Sequence, residues 1–161
     1  MTGMPGCCRW TREKGKAVPR RVRIRVGDVV AEATLYDDAA PRTTAALWDR
    51  LPISDRTIQT RWSGDAWRTE GNHELLPDGT PVENVAGHLS AGDMIYYPGY
   101  RSQLIKVGIA YGQAQWLAPF CVPIDVALIG KIDMNLDAFV ARCSRIIFEG
   151  PLEVEISRIE A

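Results

Sequence analysis

The sequence has few of the residues that carry most recognisable chemistry. It holds two histidines, His73 and His88, and four cysteines, Cys7, Cys8, Cys121 and Cys143. No C-x-x-C pair occurs, and the histidines have neither H-E-x-x-H spacing nor a cysteine pair beside them, so no metal site is expected. Adjacent cysteines rarely bridge each other. Cys121 and Cys143 lie in apolar surroundings and read as small buried hydrophobes. G-x-G-x-x-G, the P-loop and the G-x-S-x-G elbow are all missing, so no nucleotide or other cofactor is expected. No apolar run approaches the ~20 residues of a membrane-spanning helix. The N-terminus lacks the apolar core of a signal peptide. A soluble, cytoplasmic protein without a membrane partner is the expectation.

What is present suits one globular domain. A chain of 161 residues buries roughly 70% of the surface its unfolded form exposes and needs no covalent staple. The net charge of −1 gives no global attraction to nucleic acid. Charge is uneven, however. Arg9, Arg12, Lys14, Lys16, Arg20, Arg21, Arg23 and Arg25 meet only Glu13 within the first 25 residues. Residues 1–20 read as a basic, flexible tail, either merely solvated or an arm for a partner. Residues 21–161 read as the folded domain.

Hydrophobic periodicity supplies the elements. In RVRIRVGDVVAEATLY, Val22, Ile24 and Val26 alternate with arginines, Gly27-Asp28 breaks the run, and Val30, Ala33 and Leu35 follow; this predicts a β-hairpin. DDAAPRTTAALWDRLPI predicts a helix begun at Asp37 or Asp38, with Pro41 in its first turn, Thr44, Trp48 and Leu51 on one face, and Pro52 ending it. ELLPDGTPVENVAGHLSAG reads as a long loop with short strands. DMIYYPG, SQLIKVGIAYG and WLAPFCVPIDVALIGKI carry further strands, with Pro98, Pro119 and Pro123 at strand ends. NLDAFVARCSRI predicts a second helix capped by Asn135 or Asp133, and LEVEISRI a last, half-buried strand. The sum is mainly β: about eight largely antiparallel strands and two helices. Composition does not separate a barrel from a sandwich.

TRWSGDAWR, residues 60–68, is nearly a mirror image. A hairpin centred on Gly64-Asp65 would set Trp62 opposite Trp67 and Arg61 opposite Arg68. It would send both tryptophans to the core face, with Gln59, Arg61, Arg68 and Glu70 on the other. Two arginines facing each other repel unless solvent or an anion lies between them, and guanidinium forks match carboxylates. The face is therefore a solvated one, with Glu70 paired diagonally to Arg61, or an anion pocket. Tyr96 and Tyr97 must point to opposite faces. An outward Tyr97, with Tyr111, could wall such a pocket.

The order of elements resembles that of the cyclophilins. A strand hairpin runs into DDAAPRTTAALWDRL, and a late helix precedes a final strand. AGDMIYYPG followed by IAYG is similar to small, uncharacterised bacterial cyclophilin-like families. The resemblance covers residues 21–160 and implies a closed eight-stranded antiparallel barrel with two capping helices. Cyclophilins isomerise X-Pro bonds with an arginine on the outer barrel surface, and Gln59-Thr60-Arg61 is the matching stretch here. Arg61 alone carries over as a catalytic candidate, because the accompanying Gln-Gly-Gly-Asp-Phe motif is absent.

These readings predict a cyclophilin-like domain that binds a small anionic ligand or short peptide in an outer groove, through Gln59, Arg61, Arg68, Glu70, Tyr97 and Tyr111. The alternative is a divergent peptidyl-prolyl isomerase. A third reading is an enzyme acting on a small acid with Glu70, Glu83 or His73 as general base. A fourth is an interaction protein working through its basic tail. A homo-oligomer is compatible with the sequence, which fixes no symmetry for one.

Overall fold

The computed structural model describes residues 17–99, 106–118 and 122–160. Most of the basic tail, with Cys7 and Cys8, falls outside the described residues, as do Tyr100, Pro119 and Cys121. The first hairpin forms as the alternation predicts. Strands β1 (Arg21–Val26) and β2 (Val29–Leu35) pair from Val26↔Val29 to Arg21↔Thr34. Gly27 opens the two-residue turn at φ +58°, a conformation costly for any residue with a Cβ. Val22, Ile24 and Val26 are buried. The arginines between them face outward, where Arg21 meets Asp133 at 2.9 Å and Arg25 meets Glu155 at 3.1 Å.

Helix α1 (Pro41–Arg50) places its proline in the first turn, and Thr44, Leu47 and Leu51 are buried. Trp48 is partly buried and lies between the guanidinium groups of Arg20 and Arg158, 5.6 and 5.3 Å from its ring. The chain then runs through β3 (Ile53–Gln59), β4 (Gly64–Thr69), the short β5 (Val85–Ala86) and β6 (His88–Leu89), β7 (Asp93–Tyr97) and β8 (Lys106–Gln115). A small hairpin of β9 (Leu117–Ala118) and β10 (Val122–Pro123) follows, then β11 (Val126–Met134). Helix α2 (Leu136–Cys143) starts after Asn135, which sits at φ 62°. The Asn135 side chain caps no helical N–H; it donates to the Val30 carbonyl at 2.7 Å. A four-residue helix α3 (Ile146–Glu149), which the periodicity did not predict, precedes β12 (Glu153–Ile159).

Eight strands form one antiparallel ring in the order β2, β1, β12, β3, β4, β8, β7, β11, and β11 pairs with β2 to close it. The barrel therefore presents no long free edge. Its interior holds Trp67, Ile24, Met94, Tyr96, Ile109 and Ile129. Phe139 of α2 covers one mouth, 6.5 Å from Trp67 between ring centroids, with Cys143 buried beside it. A second apolar cluster lies on the opposite face of β4, β7 and β8, built on Ala66, Ile95, Tyr97, Ala110 and Trp116. Tyr96 and Tyr97 point to opposite faces, as strand geometry requires, and both are buried. Among the described residues no helix is long and apolar enough to cross a membrane.

The mirror-image stretch is not a simple hairpin. Arg61–Ser63 form a 3₁₀ turn, and Gly64 takes φ 110°. Pairing between β3 and β4 is Gln59↔Trp67, Ile58↔Arg68 and Thr57↔Thr69. Trp62 and Trp67 thus are not partners. Trp67 is fully buried, whereas Trp62 is 49% exposed. A Cβ on Gly64 would lie 2.5 Å from the Gln113 carbonyl, so the close approach of β8 fixes this turn.

Candidate functional site

The six residues expected to form one site divide between the two barrel ends. Gln59 and Tyr111 meet at the α2 end, where the Gln59 amide donates to the Tyr111 hydroxyl at 2.6 Å. Burial raises the Tyr111 pKa. Arg61 stands on the exposed 3₁₀ turn and pairs with Asp65 at 3.3 Å. Arg68, Glu70 and Tyr97 belong to the other end. Four residues along β3 are about 13 Å at 3.3 Å per residue, so Gln59 and Asp55 mark well-separated places. The expected Arg61–Arg68 face therefore does not form. The diagonal Arg61–Glu70 pair is also replaced: Glu70 approaches Arg56 at 3.8 Å.

The α1 end gathers more ionisable groups than the sequence suggested. Arg68 lies outward on β4, opposite Gly108 of β8. Lys106, two residues earlier on the same face of β8, pairs in register with Tyr97 of β7. Lys106 is only 3% exposed. Its ammonium donates to the carbonyls of Glu70 at 2.5 Å and Gly71 at 3.1 Å, leaving one of its three donors. Burial, and then the neighbouring Arg68 charge, lower the Lys106 pKa. Burial likewise lowers that of Arg68, whose Nη1 donates to the Thr69 carbonyl. Among the described residues neither cation has a carboxylate within ion-pair distance. Gly108 leaves the sheet flat beside them, and a Cβ there would fall 2.7 Å from Trp116 Cη2, so the Trp116 ring rests directly on it.

Next to the cations is a carboxylate–imidazole pair. Asp55 Oδ2 and His73 Nε2 are 2.5 Å apart, with side chains 12% and 10% exposed. Asp55 also accepts the N–H groups of Arg56 at 2.7 Å and Gly71 at 3.1 Å. Burial pushes the Asp55 pKa up, but these bonds outweigh it and hold the carboxyl below its usual range. Among the described residues His73 Nδ1 has no hydrogen-bond partner, and it is buried. Gly71 joins the two groups: its N–H goes to Asp55 and its carbonyl receives Lys106.

Glu83 has a structural task. Its Oε1 accepts Arg42 Nε at 2.9 Å and, at 3.3 Å, the Arg42 N–H; its Oε2 accepts the Thr43 N–H at 2.8 Å and hydroxyl at 2.9 Å. These N–H groups lie in the first turn of α1, where a helix leaves donors unsatisfied and Ala40 offers no side chain to cap them. Burial acts to raise the Glu83 pKa, yet the donors bring it down to about 2. Glu83 is therefore a poor proton acceptor, and of the three candidate bases His73 is the one with a free buried nitrogen.

Lys106 and the Asp55–His73 pair were missed from sequence. Lys106 had a signal, a lone lysine inside the apolar run LIKVGIAY. The pair had none, since its members are 18 positions apart and belong to no motif.

A family model described as "Protein of unknown function (DUF3830)" matches residues 22–158. No curated protein matches the sequence. Among solved structures, McbB in complex with tryptophan is similar at TM-score 0.65 and 19% identity, covering 87% of this chain and 45% of McbB. This chain thus spans less than half of McbB. The solution structure of the hypothetical protein AF2241 from Archaeoglobus fulgidus is similar at TM-score 0.54 and 22% identity, covering 92% of this chain and all of AF2241. At these identities the likeness concerns the fold.

Proposed function

The chain belongs to the DUF3830 family, and we propose from its geometry that it binds a small anionic ligand on the outer barrel surface, at Arg68 and Lys106. The observation that carries this reading is the pair of cations. They stand on adjacent strands, withdrawn from water, with no carboxylate in ion-pair contact among the described residues, although the Glu70 charge acts on both and the Asp55 charge on Lys106 from farther away. Two like charges so placed repel and are desolvated. An anion relieves both costs, and an arginine fork matches a carboxylate bidentately. Tyr97 and Trp116 supply an apolar border. Arg61, paired and exposed at the far end, takes no part. We also place the barrel among the cyclophilin-like folds, on its eight strands and capping helices.

McbB, which shares the fold, is seen with tryptophan, a small molecule with a carboxylate. Tryptophan therefore belongs in the test panel with succinate and benzoate. Thermal shift should show a rise in the unfolding midpoint for at least one of them. The rise should vanish in Arg68→Met and persist in Arg61→Ala. Equal shifts in wild type and Arg68→Met would remove this reading.

A further inference from the structure

The Asp55–His73 pair has a shape the anion reading does not use. One imidazole nitrogen, Nε2, is fixed against the Asp55 carboxylate; in the neutral ring that partner assigns the proton to Nε2 and leaves Nδ1 as the lone pair. That nitrogen is buried without a partner among the described residues. A buried polar atom left unsatisfied is costly, and such atoms in native proteins call for a functional or solvent explanation. A carboxylate orienting an imidazole whose other nitrogen is free is the arrangement of a general base. Asp55, ionised and held by the Arg56 and Gly71 N–H groups as well as by His73, would stabilise the imidazolium formed when Nδ1 takes a proton.

The neighbours define the substrate class. Lys106 is linked to the pair through Gly71, and Arg68 lies near Lys106 on the neighbouring strand. An imidazole can remove a carbon-bound proton when a neighbouring carbonyl acidifies it. The enolate so formed is an anion, which adjacent cations stabilise.

We propose that His73, oriented by Asp55, is the proton acceptor for a small carboxylic acid bearing a carbonyl group, held by Arg68 and Lys106; this rests on the anion-binding reading of that face. Nδ1 takes the proton from the carbon next to the carbonyl, and the C–H electron pair becomes the enolate. Asp55 stays a carboxylate, and the imidazolium returns a proton to carbon. No oxidant or further reactant is needed. Nδ1 is buried, so this chemistry requires the chain around His73 to open before substrate reaches it. His73 is the catalytic residue and Asp55 a positioning residue.

The test uses the full chain in D₂O with pyruvate, 2-oxoglutarate and phenylpyruvate, following exchange of the proton next to the carbonyl by proton NMR. Wild type should exchange at least one acid faster than buffer. His73→Gln should lose about 10²-fold or more of that acceleration, the scale of general-base catalysis. Asp55→Asn should lower the rate, shift its pH profile and move the His73 Nδ1 nitrogen resonance. The groups that bear on this profile are Asp55, Lys106, Glu70, Arg56 and Arg68. Arg68→Met should raise KM more than it lowers kcat. His88→Gln should exchange as wild type does. Exchange at the buffer rate with every acid overturns the proposal. If thermal shift still reports Arg68-dependent binding, the anion site stands and the pair is a structural strap. If no anion binds, both readings fall.

Discussion

Removing the Glu83 carboxylate should cost more than a surface ion pair usually does, and the cost should fade in acid. Glu83→Ala deletes the acceptor for two N–H groups in the first turn of α1, for the Thr43 hydroxyl and for the Arg42 guanidinium. A pKa near 2, against an ordinary 4.5, is worth about 3 kcal/mol at 1.36 kcal/mol per unit. Arg42 is 55% exposed, so its share is screened by solvent and the total falls to about 2 kcal/mol. Loss of an N-cap alone costs ~0.5–2 kcal/mol, which agrees. In a domain of this size that lowers the unfolding midpoint by roughly 4–8 °C. The folded pKa lies below the unfolded one. The stabilisation is thus full above about pH 4.5 and is lost as the pH falls toward 2. At pH 3 less than half should remain. Urea denaturation of wild type, Glu83→Ala and Glu83→Gln at pH 7 and pH 3 measures both effects. A Glu83→Ala penalty below about 0.5 kcal/mol at pH 7, or one equally large at pH 3, would refute the argument.

Three other outcomes follow from the same geometry. Trp67→Ala should destabilise by about 3–5 kcal/mol, since the ring fills the barrel, whereas Trp62→Ala should cost under about 1 kcal/mol; equal losses in urea denaturation would restore the symmetric hairpin. Gly108→Ala should lower stability by about 1–3 kcal/mol, because its Cβ meets Trp116 at 2.7 Å and the Trp67 carbonyl at 2.9 Å; an unchanged midpoint would show that the Trp116 ring gives way freely. In calorimetric titration with the acid giving the largest thermal shift, Arg68→Lys should bind more weakly than wild type, because an ammonium cannot match the planar fork. Equal affinity would mean that Arg68 acts as a point charge only.

Local patterns were legible in the sequence; long-range closeness was not. The Gly27-Asp28 turn, Pro41 at the start of α1 and the Phe139–Cys143 stripe of α2 are set by neighbouring residues, and each was read in place. Antiparallel order followed from short connections. TRWSGDAWR misled because its register is imposed from outside. Gly64 lies against the backbone of β8, and the 3₁₀ turn takes up Arg61–Ser63, so the apparent symmetry does not survive in three dimensions. The candidate site was half visible for a related reason. Arg68 could be singled out by residue type. Its partner Lys106 and the Asp55–His73 pair are brought beside it only by the pairing of β3, β4 and β8 and by the loop that follows β4.

The seam of the ring sets a schedule for making the protein. Of the eight strands of the ring β1 is synthesised first and β12 last, yet they pair along their length, from Val26↔Val154 to Arg21↔Ile159. While synthesis proceeds, β1 has only β2 beside it and its other edge is exposed to unwanted partners. The arginines at 21, 23 and 25 mark that waiting strand with like charge, which discourages two nascent chains from joining through it. The ring is complete only once β12 has been made, and closing it requires the search that unites the two barrel strands most distant in sequence.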